Sequence, residues 1–236
     1  MLPIRENVLA VQDAIATKLR SLGRDPQDTI LVAVTKTHPV EMIDAALKAG
    51  ITHWGENKVQ EAVRKHPFVT EEYGGFHFIG HLQTNKINAL LALNPLLIHS
   101  VGSLRLAQKL NSTLGRMDRI QDILIQVNVT EEDSKSGADL ESARELVLAI
   151  SRLPFLRIRG LMTIGLMSPD AQRTRPYFQE MKQLFDSLKA LDDPAIDMSW
   201  LSMGMSDDYL VALEEGANML RLGSVIFGAR DYGGKR

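Results

Sequence analysis

A single lysine, Lys36, ends the run Ile30-Leu31-Val32-Ala33-Val34-Thr35, and Thr37-His38-Pro39 then breaks the pattern. A stretch of apolar, largely β-branched residues reads as a strand buried on both faces of a parallel sheet. An ammonium group at its end has two readings. It snorkels into solvent at the strand terminus, or it sits in a partly apolar pocket, loses its proton near neutral pH and attacks a carbonyl carbon. Other polar residues also interrupt or close apolar runs: Asn57 in Trp54-Gly55-Glu56-Asn57, His77 in His77-Phe78-Ile79-Gly80-His81, His99 in Ile98-His99-Ser100, and Asn128 in Gln126-Val127-Asn128. Leu161-Met162-Thr163, Leu201-Ser202-Met203-Gly204-Met205-Ser206 and Arg221-Leu222-Gly223-Ser224 extend the series. Packing alone is a poor reason for this series, because buried polar groups cost stability unless partnered. The small residues at 202, 204, 206, 223 and 224 let backbone amides approach a ligand, and Ser or Gly ahead of a helix leaves N–H groups for an anion. Their plainer reading is caps and tight turns. A nucleophilic lysine, a phosphate cradle and Arg221 between them suit a phosphorylated carbonyl compound, either a sugar phosphate or pyridoxal phosphate (PLP).

Other constellations carry less. His77 and His81 are four apart on a strand and its loop, and without cysteine or a His-Glu-x-x-His they do not read as a metal site. His77 has two readings, a hydrogen bond near a bound ring or a satisfied core histidine. His99-Ser100 lacks a Gly-x-Ser-x-Gly elbow and reads as strand-end packing. Glu131-Glu132-Asp133 reads as a solvated loop. Lys135, in the loop after the fifth strand, reads as a surface lysine in a Ser/Gly turn; the alternative is an amine that passes ligand at the mouth. Met162, Met203 and Met205 read as adaptable core around the site.

The elements that must position these residues follow from periodicity. Ile4, Val8, Val11, Ile15, Leu19 and Leu22 form one apolar stripe of a helix over 4–22, stopped by Gly23. Strands are expected at 30–36 and near 52–54, 76–79, 96–100, 123–129, 158–164, 198–202 and 219–222. Helices are expected near 40–49, 57–65, 84–92, 103–114, 139–152, 170–190 and 206–215, with a last turn after 224. Eight β-α units in 236 residues fit an α/β fold of one class, a single (β/α)8 TIM-type barrel with an extra N-terminal helix. An open doubly wound sheet is the alternative, but no Gly-x-Gly-x-x-Gly supports its dinucleotide form. Short loops and no linker give one domain over 1–236, with the helix at 1–22 and the barrel at 30–230. Such barrels work at the C-terminal strand ends and often hold phosphate after strands seven and eight, which favours the cradle over simple capping.

Composition sets bounds. Lys and Arg number 27 against 29 Asp and Glu, so there is no basic field for nucleic acid. There is no cysteine for disulfides or thiolate chemistry. No signal peptide and no apolar run long enough for a membrane are visible, so a soluble cytoplasmic protein is expected. The helix at 170–190 shows a barrel-covering face and no surplus stripe, so a monomer is expected.

The motifs resemble those of the pyridoxal phosphate homeostasis proteins (YggS type). They are Ala33-Val34-Thr35-Lys36-Thr37, Trp54-Gly55-Glu56-Asn57-Lys58-Val59-Gln60-Glu61, and Phe76-His77-Phe78-Ile79-Gly80-His81-Leu82-Gln83-Thr84-Asn85-Lys86. Ser134-Lys135-Ser136-Gly137, Arg159-Gly160-Leu161-Met162-Thr163-Ile164, the run 201–206 and the run 221–230 continue the match in order over nearly the whole chain. The resemblance implies a barrel like the N-terminal domain of alanine racemase with PLP as an internal aldimine. Lys36 would hold it and Asn57 would line the ring. Ser202, Gly223 and Ser224 would hold the phosphate, and Arg221 would face the pyridine nitrogen, with His77 and Met162 nearby. Departures are Thr35 where serine is frequent, His81 where proline is frequent, and Ser224 where threonine is frequent; hydroxyls survive at 35 and 224.

An arginine partner disfavours a protonated pyridine nitrogen, because a guanidinium accepts no proton. The resemblance says that racemases of this fold add a tyrosine base from another domain. The chain is expected to end before such a domain, and none of Tyr73, Tyr177, Tyr209 and Tyr232 is expected at a strand end. The expectation is therefore a PLP-binding protein with little catalysis of its own, which buffers intracellular vitamin B6 or delivers it to apo PLP enzymes as transient partners. A weak PLP-dependent amino acid racemase and a Schiff-base aldolase on a sugar phosphate are the alternatives.

Overall fold

The structure, a computed structural model, describes residues 3–129, 137–166, 168, 170–191 and 193–228. Lys135, Glu131–Asp133 and Tyr232 lie outside the described residues. Eight parallel strands form the barrel: β1 (Ile30–Val34), β2 (His53–Glu56), β3 (Gly75–Phe78), β4 (Leu97–Val101), β5 (Gln121–Asn128), β6 (Leu156–Thr163), β7 (Ile196–Ser202) and β8 (Met219–Leu222). Each pairs with its neighbour in sequence, and β8 pairs with β1, with Val32 beside Arg221. The β4–β5 pairing completes the ring. A two-residue strand, Ala138–Asp139, adds to the end of β5 and was not anticipated by the apolar pattern.

The helices are α1 (Ile4–Ser21), α2 (Val40–Lys48), α3 (Val59–Lys65), α4 (Ile87–Leu91), α5 (Leu104–Met117), α6 (Leu140–Ile150), α7 (Arg175–Lys189), α8 (Tyr209–Glu214) and α9 (Ser224–Phe227). Of the expected stripe of α1, Val8, Val11, Ile15 and Leu19 are covered, against α2, α8 and α9, while Ile4 is half-buried and Leu22, beyond the helix end, is exposed. Boundaries differ from the sequence expectation where local chemistry intervenes. A 3-10 turn over Ala171–Thr174 delays α7, whose second residue is Pro176, a residue suited to a first helical turn. Asp208 Oδ1 accepts from Met205 N at 2.6 Å and holds the start of α8 back to Tyr209.

Strand alternation divides the apolar residues into two populations. Outward residues such as Trp54, Phe76, Phe78, Ile98, Ile123, Leu161 and Leu222 join the helices in one large core. Inward residues Val32, Leu97, Leu124, Met162 and Met219 form a small separate cluster with Ile30 and Trp200. The polar residues of interest share that inward face. Among the described residues no helix is long and apolar enough to cross a membrane.

Candidate functional site

β1 ends at Val34, two residues earlier than expected, so Lys36 lies in the turn beyond the strand. Thr35 N still donates to Gly55 O at 3.0 Å, which continues the ladder by one bond. Thr37 then adopts φ +68°, a left-handed conformation that turns the chain. Lys36 has the parity of Val32 and Val34 and is half-buried. The turn is clamped from beneath. Thr35 Oγ1 donates to Glu56 Oε1 at 2.7 Å, and Lys65 Nζ donates to that same oxygen at 2.7 Å and to Thr35 O at 2.9 Å. Glu61 Oε2 receives Lys65 Nζ at 3.1 Å and Thr37 N at 2.9 Å. Both neighbours of Lys36 are therefore tied to one ionic cluster, in which Glu56 is buried and Lys65 and Glu61 are half-buried. Burial of Glu56 raises its pKa, and the bonds from Lys65 and Thr35 oppose that shift.

Across the interior, Arg221 is 5% exposed. Its Nη1 donates to Ser202 Oγ at 2.7 Å and its Nη2 to Thr163 O at 2.7 Å. Burial lowers its pKa to about 10, and the charge of Asp208 opposes that shift, so the guanidinium stays charged at neutral pH. Ser202 Oγ also lies 3.2 Å from His99 Nδ1, and His99 Nε2 lies 2.9 Å from His77 Nδ1. Burial, next to His53, holds His77 at about 3. Burial, with His77 and Arg221 adding repulsion, holds His99 well below the usual histidine range.

The loops after β7 and β8 meet at Ser206, whose Oγ accepts from Gly223 N at 3.2 Å and Val225 N at 3.4 Å. Gly223 is half-buried and Ser224 is exposed. At the end of β2, Asn57 Oδ1 and Glu56 Oε2 are buried without a hydrogen-bond partner. Gly80, after β3, packs so tightly on Asn57 that an added Cβ would fall 2.0 Å from Asn57 O, so that wall of the site must be backbone. An orphaned amide oxygen that can accept, with an amine, a buried guanidinium and two serine-glycine turns that can donate, is a set of groups that fits PLP.

The structure thus brings Lys36, Asn57, Arg221, Gly223 and Ser224 to the C-terminal strand ends, as the sequence suggested. Met162 is buried in the interior apolar cluster. Ser202 is at the expected strand end, but its hydroxyl is engaged by Arg221 and His99, while Ser206 carries the hydroxyl at the Gly223 turn. His99, expected as strand-end packing, is instead a hydrogen-bonding interior residue. His81 is exposed and apart from buried His77. Lys65 and Glu61 do not stand out in the sequence, because an (i, i+4) pair on a helix usually reads as a surface ion pair.

Comparison with known proteins sharpens this picture. The family described as alanine racemase, N-terminal domain, matches residues 11–231. A pyridoxal phosphate homeostasis protein from Vibrio alginolyticus is 41% identical over 236 residues, 98% of this chain and 100% of that protein. A crystal structure of an unknown protein from Bifidobacterium adolescentis superposes with TM-score 0.90 at 33% identity, over 95% of this chain and 94% of the other. The PipY structure from Synechococcus elongatus with PLP bound superposes with TM-score 0.78 at 34% identity, over 91% of this chain and 100% of that one.

Proposed function

Because the chain belongs to the pyridoxal phosphate homeostasis proteins, within the alanine racemase N-terminal domain family, we propose that it binds PLP covalently on Lys36 and acts in intracellular vitamin B6 homeostasis. It would buffer the cofactor or hand it to apo PLP enzymes, as a monomer, with little catalysis of its own. The observation that carries this reading is the placement of Lys36: a half-buried amine in a turn pinned on both sides, with a buried guanidinium on the inward face of β8.

Bound PLP supplies an electrophilic aldehyde and an electron-withdrawing ring. Lys36 would provide the amine that holds that aldehyde. The ionic cluster of Glu56, Lys65 and Glu61 holds its turn in place. Asn57, with its orphaned oxygen, lines the ring against the backbone of Gly80. The turns at Ser206, Gly223 and Ser224 receive the phosphate. Arg221 would be the partner of the ring nitrogen; it donates but cannot accept a proton, and its positive charge would repel one. The ring is then a weak electron sink, which suits carriage better than racemisation.

The test is direct. Protein purified with PLP should be yellow, bleach with borohydride, and carry a pyridoxyl adduct on the peptide containing Lys36, with the adduct lost in Lys36→Ala. Loaded protein should activate an apo PLP enzyme without racemising alanine. A protein that stays colourless after PLP is added would sink the reading, and turnover comparable to that of a racemase would replace carriage with catalysis.

A further inference from the structure

His53, His77, His99, Ser202 and Arg221 come from five strands, β2, β3, β4, β7 and β8, and meet in one line across the barrel interior. The links are His53 Nδ1 to His77 Nε2 at 2.9 Å, His77 Nδ1 to His99 Nε2 at 2.9 Å, His99 Nδ1 to Ser202 Oγ at 3.2 Å, and Arg221 Nη1 to Ser202 Oγ at 2.7 Å. The line runs from the first residue of β2 to the last of β7. His77, His99 and Ser202 are fully buried, and His53 is half-buried.

The chemistry of one end sets the direction of the whole once the Ser202 hydroxyl proton is spent within the line. A guanidinium only donates, so Ser202 accepts from Arg221. Within this line the Ser202 hydroxyl proton has one acceptor, His99 Nδ1. A neutral imidazole that accepts at Nδ1 carries its proton at Nε2. His99 therefore donates to His77 Nδ1, and His77 donates in turn to His53 Nδ1. We propose that His53, His77 and His99 form a one-way hydrogen-bond relay that positions Arg221, by keeping the Ser202 oxygen turned toward the guanidinium.

Two further observations support a built device rather than loose packing. Gln126 aside, the line is surrounded by the apolar residues expected of a barrel interior, Val32, Leu97, Leu124, Met162 and Met219. Space is also kept for the rings: a Cβ at Gly75 would lie 2.8 Å from His53 Nδ1 and 2.4 Å from Leu96 Cδ2. An imidazolium in the line would face the charge of Arg221, and burial already holds the rings neutral. The consequence for cofactor rests on the function proposed above; the direction of the relay does not.

Two-bond 1H–15N spectra of 15N-labelled, PLP-free protein at neutral pH read the tautomers directly. The relay requires neutral, Nε2-protonated rings at His77 and His99. An Nδ1-protonated ring or an imidazolium at either position overturns it. Variants supply a second reading. His99→Asn keeps an acceptor close to Nδ1, and His99→Leu removes it. His99→Leu should bind PLP roughly tenfold more weakly, the scale of one charge-assisted hydrogen bond, with an altered visible band, and His99→Asn should recover most of both. Equal losses in the two variants, or none in either, would overturn the positioning role. If wild-type protein takes up no PLP, the cofactor reading fails, while the tautomers still judge the relay.

Discussion

Between the barrel and its helices, Trp54, Phe76, Phe78, Phe178 and Phe227 pack with aliphatic residues from nearly every element. Inside the barrel, the apolar residues share space with His77, His99, Gln126, Ser202 and Arg221, all buried. The same strands feed both regions, one residue to each side in alternation. The outer region gains free energy from area removed from water and is indifferent to direction. The inner region holds polar groups whose worth lies in where they point, and each must be partnered or pay for its burial. Stability and function are thus carried on opposite faces of the same eight strands.

The largest expected effect lies in the outer region. Phe178→Ala should lower unfolding free energy by about 3–5 kcal/mol, the range for a large aromatic lost from a core. Urea denaturation measures this, with an unchanged slope. A loss below about 1 kcal/mol would break the comparison, because the shell would then not be the main carrier of stability.

The ionic cluster under Lys36 belongs to neither region. It lies on the outward side of the strand ends, yet it is polar. Lys65→Met leaves the buried Glu56 carboxylate without its ammonium partner. Breaking a buried pair in this way costs about 3–5 kcal/mol, and the 13% exposure of the Lys65 side chain places this one toward the lower end. PLP should also attach to Lys36 more slowly. If stability falls but attachment does not, the cluster supports the fold and not the turn.

Acid should find the interior first. The folded pKa of His77 is about 3, against 6.5 for the free side chain, and His99 is shifted the same way. The unfolded chain therefore binds protons that the folded one refuses. Stability is complete above about pH 6.5 and falls as pH drops toward 3, by at most about 1.4 kcal/mol per pH unit for each group. Unfolding curves between pH 7 and 4 should show this slope, and His77→Leu should flatten it by one group's share. An unchanged slope in that variant would mean that His77 is charged in the folded state.

How much of this was legible in the sequence follows the same division. The apolar pattern alone sets out eight β-α units and the outer core, because the two periods differ plainly. Strand-end polar residues such as Lys36, Asn57 and Arg221 stand out against apolar runs. His99 did not, although in Leu97-Ile98-His99-Ser100-Val101 it has the parity of Leu97. Which parity faces a closed interior depends on ring closure through β4 and β5, a contact that no local pattern encodes. Glu56 and Lys65 meet Thr35 only through the pairing of β1 with β2, which is equally invisible one segment at a time.

The smallest effect sharpens the comparison most. Among the described residues, three non-glycine residues have a left-handed backbone: Asn94, Asp118 and Thr37, at φ +50°, +49° and +68°. Asn and Asp tolerate that region through their short polar side chains. Asn94 follows α4, and Asp118 is the C-cap of α5. Thr37 is β-branched, so the same conformation costs it of order 1 kcal/mol or more, and the strain sits next to the amine. Thr37→Gly would relieve that strain, while the added freedom of the unfolded chain returns part of the gain. A net stabilisation of up to about 1 kcal/mol is expected in urea, together with slower attachment of PLP because the amine is less well held. Faster attachment would mean that the strained turn restrains Lys36 instead of presenting it. A net destabilisation would mean that the Thr37 side chain makes contacts worth more than the strain, and the turn would then belong with the outer region as part of the scaffold.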